Sequence, residues 1–517
     1  MTIADLPLPA GLRSAVEPQS LLVDRETRSL YAHDVYSAGP LPLAVFRPTS
    51  VDELACGVAA ATREGIAVVP RGGGMSYTGG YLSPIPRFIL VDTGALDAIV
   101  SIDETDMTAT VEAGVTWEKL RAALQGRGLR AKAWGTLSGL HATVGGGMSQ
   151  NGVFWGARDG TIADAVLRFD IVLADGRILS TGSEFFRPFG PDLTGLFIAD
   201  CGALGIKARI TLRLVREGTG LAYGSFAFDD HRALFQAMSA VARGGYASEC
   251  FGFDPFLQAQ RMKRESLTKD AKSLVTMMKA QGSLLKGLKE GAKVALAGRS
   301  FLDDVPFSLH CIAEARSETA ARDDITAIEK IVGAAGGRAI ENTIPKILRS
   351  NPFPPVNSMV GPDGERWVPV HGFLPHSRLV ESWEAIQILY ADHGEQMAAL
   401  GVEAGAMLAA VSPQACLIEP VFFWPDALNP LHRSAVEPAH LSKLKGFDAN
   451  AAAASLVHTL RAGVIDIFAK RQAVHLQIAR TYPLRESHDE TAWRLLETIK
   501  RQLDPAGLMN PGSLALT

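Results

Sequence analysis

Val69-Pro70-Arg71-Gly72-Gly73-Gly74-Met75-Ser76-Tyr77-Thr78-Gly79-Gly80 ends an apolar, strand-like run in a cluster of glycines. A loop this poor in side chains lets backbone N–H groups converge on an anion, and glycine takes the positive φ angles such a nest needs. A plain tight turn has the same composition, so this stretch alone leaves both readings open. A second cluster, Thr143-Val144-Gly145-Gly146-Gly147-Met148, follows about seventy residues later. Two such loops suggest an extended, doubly charged ligand such as a dinucleotide pyrophosphate.

The nicotinamide-type fingerprint fails on spacing. It needs Gly-x-Gly-x-x-Gly opening a helix. Here Gly72 and Gly74 are followed by Tyr77 at the third glycine position, and Gly145 and Gly147 by Gln150. No Gly-Lys-Ser or Gly-Lys-Thr closes either cluster, so a Walker phosphate loop is absent as well.

The 517 residues, 47% hydrophobic and 21% charged, suffice for two or three globular domains. A formal charge of -4 without a basic tail argues against nucleic acid as a partner. Cys56, Cys201, Cys250, Cys311 and Cys416 form no Cys-x-x-Cys pair, which reads as reduced thiols in a cytoplasmic protein. No secretory signal is visible at Met1–Pro7, and no window is read as approaching the roughly 20 apolar residues of a bilayer span.

Helix and strand alternate over the first 220 residues or so. Ser50-Val51-Asp52-Glu53 is a capping box, Gly65 stops the helix it opens, and Ile66 to Val69 is the strand that delivers the first glycine loop. Phe88–Asp92 and Thr108–Glu112 read as further strands, and Ile171–Leu179 as a hairpin turning at Asp175-Gly176. From residue 222 longer amphipathic pieces take over. Between 268 and 298, Lys272, Lys279, Lys286, Lys289 and Lys293 cluster on one helical face, with Leu and Met mostly opposite. That segment reads as a solvated helix face, a mobile cap, or a surface for peripheral membrane contact. Asn351 to Pro375 reads as an ordered irregular loop.

Several segments, in this order, resemble the vanillyl-alcohol oxidase and p-cresol methylhydroxylase superfamily. Pro70–Gly74 resembles its first pyrophosphate loop, and Ser138 to Asn151 the segment running past the pyrophosphate toward the isoalloxazine. Gly190–Phe197 with Gly202–Ile206 is similar to a signature of glycolate oxidase and D-lactate dehydrogenase flavoprotein subunits, and Asp504–Gly512 to the closing segment. The resemblance implies an α+β fold: an FAD-binding domain of two α+β subdomains over 1–221, a cap with an antiparallel sheet and flanking helices over 222–465, and a C-terminal return over 466–517. It implies FAD held by Pro70, Arg71, Gly72, Gly73, Gly74, Met75, Ser76, Gly79 and Gly80. Further contacts are expected from Thr136, Leu137, His141, Thr143, Val144, Gly145, Gly147, Gln150 and Asn151, and from Gly205, Ile206 and Asn510. Many relatives carry a flavin-linking histidine in the first loop; Met75 stands at the nearest matching position, so the FAD is expected to be non-covalent. The His-x-Gly-Asp-Gly-Asn-x-His metal motif of the hydroxy-acid branch is missing, and no metal is expected.

The activity implied is dehydrogenation of an alcohol or hydroxy-acid CH–OH, with hydride passing to flavin N5. A 4-alkylphenol or 4-hydroxybenzylic substrate is the alternative, and a non-catalytic flavin-binding assembly subunit is the alternative of another class. Oxygen, quinone and cytochrome stay open as electron acceptors, and a homodimer is among the assemblies admitted. In Ala473–Pro483, alternation of a strand puts His475, Gln477 and Ala479 on one face, and Arg480 with Tyr482 on the other if the strand continues that far. Arg480 is a candidate anion clamp, Tyr482 and His475 are candidate proton relays, and His371 is a candidate pocket residue from the cap. Glu419, inside the aromatic run Ile418–Trp424, reads as cap core, a buried ionic partner, or a catalytic carboxylate.

Overall fold

Ser50 Oγ accepts the Glu53 N–H at 3.1 Å and opens the helix Val51–Arg63, while the Glu53 carboxylate reaches past it to the Thr49 N–H at 2.8 Å. The chain then reverses at Gly65, with φ at +66°, into a buried strand. The structure, a computed structural model, describes residues 7–264 and 305–516. The lysine-rich segment 268–298 lies outside the described residues.

The first sheet has strand order β1-β2-β4-β3, with β1 Leu21–Leu22, β2 Val45–Phe46, β3 Ala67–Arg71 and β4 Phe88–Asp92. β3 and β4 run parallel, paired from Ala67↔Phe88 to Arg71↔Asp92. Val68, Ile89 and Val91 pack on one face against Leu54 and Val58 of the helix, and Ala67, Val69, Phe88 and Leu90 on the other. Burial on both faces is why these strands are unbroken apolar runs instead of alternating ones. The outer edge of β3 is covered by the chain's end. Val68 N–H donates to Leu508 O and Asn510 N–H to Val68 O, each at 2.8 Å, which blunts this edge against pairing with a foreign strand.

The second sheet has order β5-β6-β10-β8-β9: β5 Ile99–Asp103, β6 Thr108–Glu112, β8 Val166–Val172, β9 Ile178–Ser180 and β10 Ile206–Arg216, with β7 Leu129–Ala131 also on β10. A third, eight-stranded sheet follows: β11 Gly220–Phe228, β12 Glu249–Phe253, β13 Phe307–Ala315, β14 Arg338–Ala339, β15 Arg366–Pro369, β16 Gly372–Pro375, β17 Glu403–Val411 and β18 Ala415–Trp424. Its strands separate their faces by the two-residue period. Ala406, Leu408, Ala410, Ile418 and Phe422 join the helices in one large core, whereas Phe251, Phe253, Met407, Ala409, Val421 and Phe423 turn to the opposite side.

Three expectations need correction. The region 351–375 is not one irregular loop, because it carries the turn Val356–Met359 and strands β15 and β16. Ala473–Pro483 is not a strand. Only Val474 bridges to Phe373, and Gln477 and Ala479 have φ of +51° and +43°, outside the extended region. Finally, Ala451–Lys470 is long and apolar enough to cross a membrane by length and composition. Seven of its residues, Arg461 among them, are buried, the pattern of a cap core helix.

Candidate cofactor and active site

Beyond β3 the chain turns through Gly74 and Gly79, at φ +73° and +71°. The backbone N–H groups of Gly73, Gly74, Met75, Ser76 and Tyr77 make no hydrogen bond among the described residues, and all five residues line one long cavity. Unpaired N–H groups side by side in a loop form a ready-made anion site. Arg71 stands at its edge with the guanidinium carbon 4.3 Å from the Tyr31 ring centre and 5.3 Å from that of Tyr81, and its Nε is buried with no partner. A diphosphate fits this donor set.

The second glycine cluster does a different job. Thr143 Oγ1 caps the helix Val144–Gln150 by accepting Gly146 N–H at 3.1 Å. Val144 N–H donates to Val115 O, Gly145 N–H to Ala113 O and Gly147 N–H to Thr143 O. These donors are committed, so the expected second anion nest does not form here. The glycines allow close packing instead: a Cβ on Gly145 would sit 2.6 Å from Ala113 Cβ, and one on Gly72 would sit 2.5 Å from Thr143 Oγ1. The two clusters are pressed against each other, and the second walls the cavity with backbone.

Of the expected cofactor residues, Pro70, Arg71, Gly72, Gly73, Gly74, Met75, Ser76 and Gly80 line the cavity, as do Thr136, Leu137, Thr143, Gly145, Gly147, Gln150, Gly205 and Ile206. Gly79, His141, Val144, Asn151 and Asn510 do not line it. Asn151 ends its helix in the left-handed region, with Oδ1 accepting Ala163 N–H at 3.3 Å. Asn510 is fully buried and donates to Gly80 O at 2.9 Å and Cys201 O at 2.6 Å, fastening the nest to the chain's end.

Nor do the candidate catalytic residues line the cavity. Arg480 donates to Gly79 O at 2.6 Å, and to Asn510 Oδ1 and Pro511 O at 2.7 Å each, so both its terminal nitrogens are held by the fold. Burial lowers its pKa to about 10. Tyr482 Oη accepts His371 N–H at 3.0 Å and lies 3.2 Å from His371 Nδ1. His475 stacks on Tyr482, with ring centres 4.1 Å apart at 13°, and its Nδ1 donates to His371 O at 2.8 Å. Burial pushes both imidazoles below the ordinary histidine pKa and so keeps them neutral. His371, His475 and Tyr482 thus form a buried cluster joining the cap to the C-terminal segment, and none of the three lines the cavity.

What does face the cavity from the cap is the inner side of β18, where Leu417, Glu419, Val421 and Phe423 alternate, with Met407 of β17 beside them. Tyr77, Trp367 and Gln477 complete this end, and Gln477 Nε2 donates to Tyr77 Oη at 2.9 Å. Burial, reinforced by the nearby Glu419 charge, raises the Tyr77 pKa well above that of an ordinary phenol. Sequence reading missed Tyr77 and Trp367 as site residues. The period-two spacing of Leu417, Glu419 and Val421 was the signal available for Glu419.

Comparison with known proteins agrees with this geometry. Residues 42–182 match an FAD binding domain, and residues 478–514 match the C-terminal domain of FAD linked oxidases. The glycolate oxidase subunit GlcD of Bacillus subtilis (strain 168) is 31% identical over 193 residues, 36% of this chain and 40% of that protein. The probable mitochondrial D-lactate dehydrogenase of Danio rerio is 30% identical over 251 residues, 45% of this chain and 49% of that protein. The chain thus aligns with less than half the length of these relatives. The crystal structure of p-cresol methylhydroxylase with substrate bound superposes with a TM-score of 0.71 at 15% identity, covering 98% of this chain and 96% of that one, and shows a shared α+β fold. FAD is the cofactor, and the free donors at 73–77 suit its diphosphate.

Proposed function

We propose that this chain, a member of the FAD-linked oxidoreductases, oxidises the CH–OH carbon of an alcohol, with the Glu419 carboxylate taking the hydroxyl proton. One observation carries the reading. Among the described residues that line the cavity, Glu419 is the single carboxylate, and no histidine lines it. FAD, when bound, supplies the acceptor for the hydride that leaves the carbon. The chain's part is to hold the nucleotide at Gly73–Tyr77, to exclude water with the aromatic face of the cap, and to accept one proton at Glu419.

Among the described lining residues the charge pattern favours a donor that is uncharged beside the reacting carbon. A hydroxy acid of the kind named for the sequence relatives would bring a second carboxylate to Glu419 and would need a cation to hold it. Among the described lining residues the cations are Arg71, at the nest end, and Lys207, bound to Asp200 at 2.5 Å. A phenolic donor is the second reading, favoured by the Tyr77 and Trp367 rings, 5.8 Å apart and edge-on at this end of the cavity.

Glu419→Gln tests the assignment. The variant should keep its flavin spectrum, while anaerobic bleaching by an alcohol that reduces the wild type slows by about 100-fold or more. Unchanged bleaching would remove Glu419 from the chemistry. A wild-type protein that no alcohol or alkylphenol bleaches would favour the assembly-subunit alternative.

A further inference from the structure

On the inner face of the cap sheet the register sets side chains in rows. Phe253, Met407 and Glu419 lie abreast, because Phe253 pairs with Met407 and Met407 with Glu419. Phe251, Ala409 and Leu417 form the next row by the same pairing. Two residues along a strand separate the rows by ~7 Å. Beneath the second row a recess adjoins the main cavity, and the two voids share Leu137, Val153, Phe154, Met407 and Leu417 as walls.

We infer that this recess holds an apolar arm of the substrate, an alkyl chain or aryl ring attached to the carbon oxidised beside Glu419. The inference rests on the alcohol-oxidation reading for where the reacting carbon lies. The recess itself is read from its walls. None of its fourteen described lining residues is charged, and the one side-chain nitrogen among them is Trp155 Nε1, buried and without a partner among the described residues. A water molecule needs two or more polar partners, so a recess walled this way favours carbon over water. It is open because of Ala409. Leu408 and Ala410 belong to the helix-side core and are fully buried, with Ala410 also touching the recess, whereas Ala409 faces it and is only partly covered. A larger side chain between Phe251 and Leu417 would close it. The Phe154 and Trp155 rings, 4.3 Å apart, and Phe251, 5.2 Å from Trp155, supply flat apolar surface on the remaining sides.

The test uses the FAD-loaded full chain and straight-chain primary alcohols from butanol to decanol. Binding is read by calorimetry and reduction by anaerobic bleaching. In the wild type the dissociation constant should fall about fourfold for each added methylene until the recess is filled. Ala409→Phe should abolish that gain, and Ala409→Val, a milder change at a partly covered position, should end it at shorter chains. A wild-type affinity independent of chain length overturns the inference, as does an unchanged series in both folded variants. Chain-length-dependent binding lost in the variants, but without bleaching by any alcohol, upholds the recess and defeats the alcohol-oxidation reading instead.

Discussion

Gly73→Ala adds a single carbon where the two glycine clusters meet. That Cβ would lie 2.6 Å from the carbonyl carbon of His141 and 3.0 Å from Ala142 Cα, and nearer still to the His141 oxygen. All three atoms are backbone, so no side chain can rotate away. Carbon atoms rest at ~3.5 Å, so the clusters must part by about 1 Å. The strain costs the cofactor-free fold about 1–3 kcal/mol, the range seen for an overfilled core. FAD binding should suffer more. A 1 Å displacement carries N–H groups of the nest out of hydrogen-bond range of a phosphate oxygen, and each such charge-assisted bond is worth about 1.5–3 kcal/mol. Losing two of them costs about 3–6 kcal/mol, at least about 100-fold in affinity. Titration of FAD into apoprotein, followed by quenching of flavin fluorescence, gives the constant, and thermal melting of the apoprotein shows the fold is kept. Gly333→Ala is the control, since a Cβ there meets nothing within 4 Å. If Gly73→Ala binds FAD within about threefold of wild type, the free donors at 73–77 are not the phosphate site.

Arg480→Met should destabilise the protein by about 2–4 kcal/mol in urea unfolding, because three acceptors at Gly79, Asn510 and Pro511 lose a charged donor, and it should leave KM unchanged. A changed KM at unchanged stability would return Arg480 to the substrate site. Burial raises the Asp254 carboxyl from 3.8 to about 7. The folded chain therefore holds a proton that the unfolded chain releases between those values. Its contribution to stability is full below pH ~4 and is lost as pH rises through ~7. Asp254→Asn keeps the acceptor for Leu257 N–H, so melting should show it stabilised at pH 8 by at most about 4 kcal/mol, with the gain shrinking toward pH 5. A gain equal at both values would mean Asp254 does not titrate in this range. Met75 lines the cavity, and a thioether forms no bond to flavin as an imidazole does, so acid precipitation should release FAD into the supernatant. Colour kept in the pellet would show a covalent bond.

The residues around the first glycine cluster determined much by themselves. Ile66 to Val69 are apolar without alternation because both faces of β3 are buried, and local sequence alone demands the strand, the turn and the helix caps around it. A glycine, however, says only that a Cβ is not tolerated. Whether the intruder would meet a ligand or another stretch of backbone depends on what approaches from elsewhere, and here His141 covers Gly73 from 68 positions away. For the same reason 143–147 looked like a second anion nest: composition cannot show that Ala113 and Val115 have already taken its N–H groups. Alternation at 473–483 suggested a strand, but a strand exists only with a partner to complete its ladder, and beyond the Val474–Phe373 bridge none arrives among the described residues. Arg480, drawn as a substrate clamp, found its acceptors in Gly79 and Pro511. Glu419 has the opposite history. Its chemistry was written in the chain, but only the register of β18 against β17 turned it to the cavity, because in a sheet one residue of slip exchanges the wet face for the dry one.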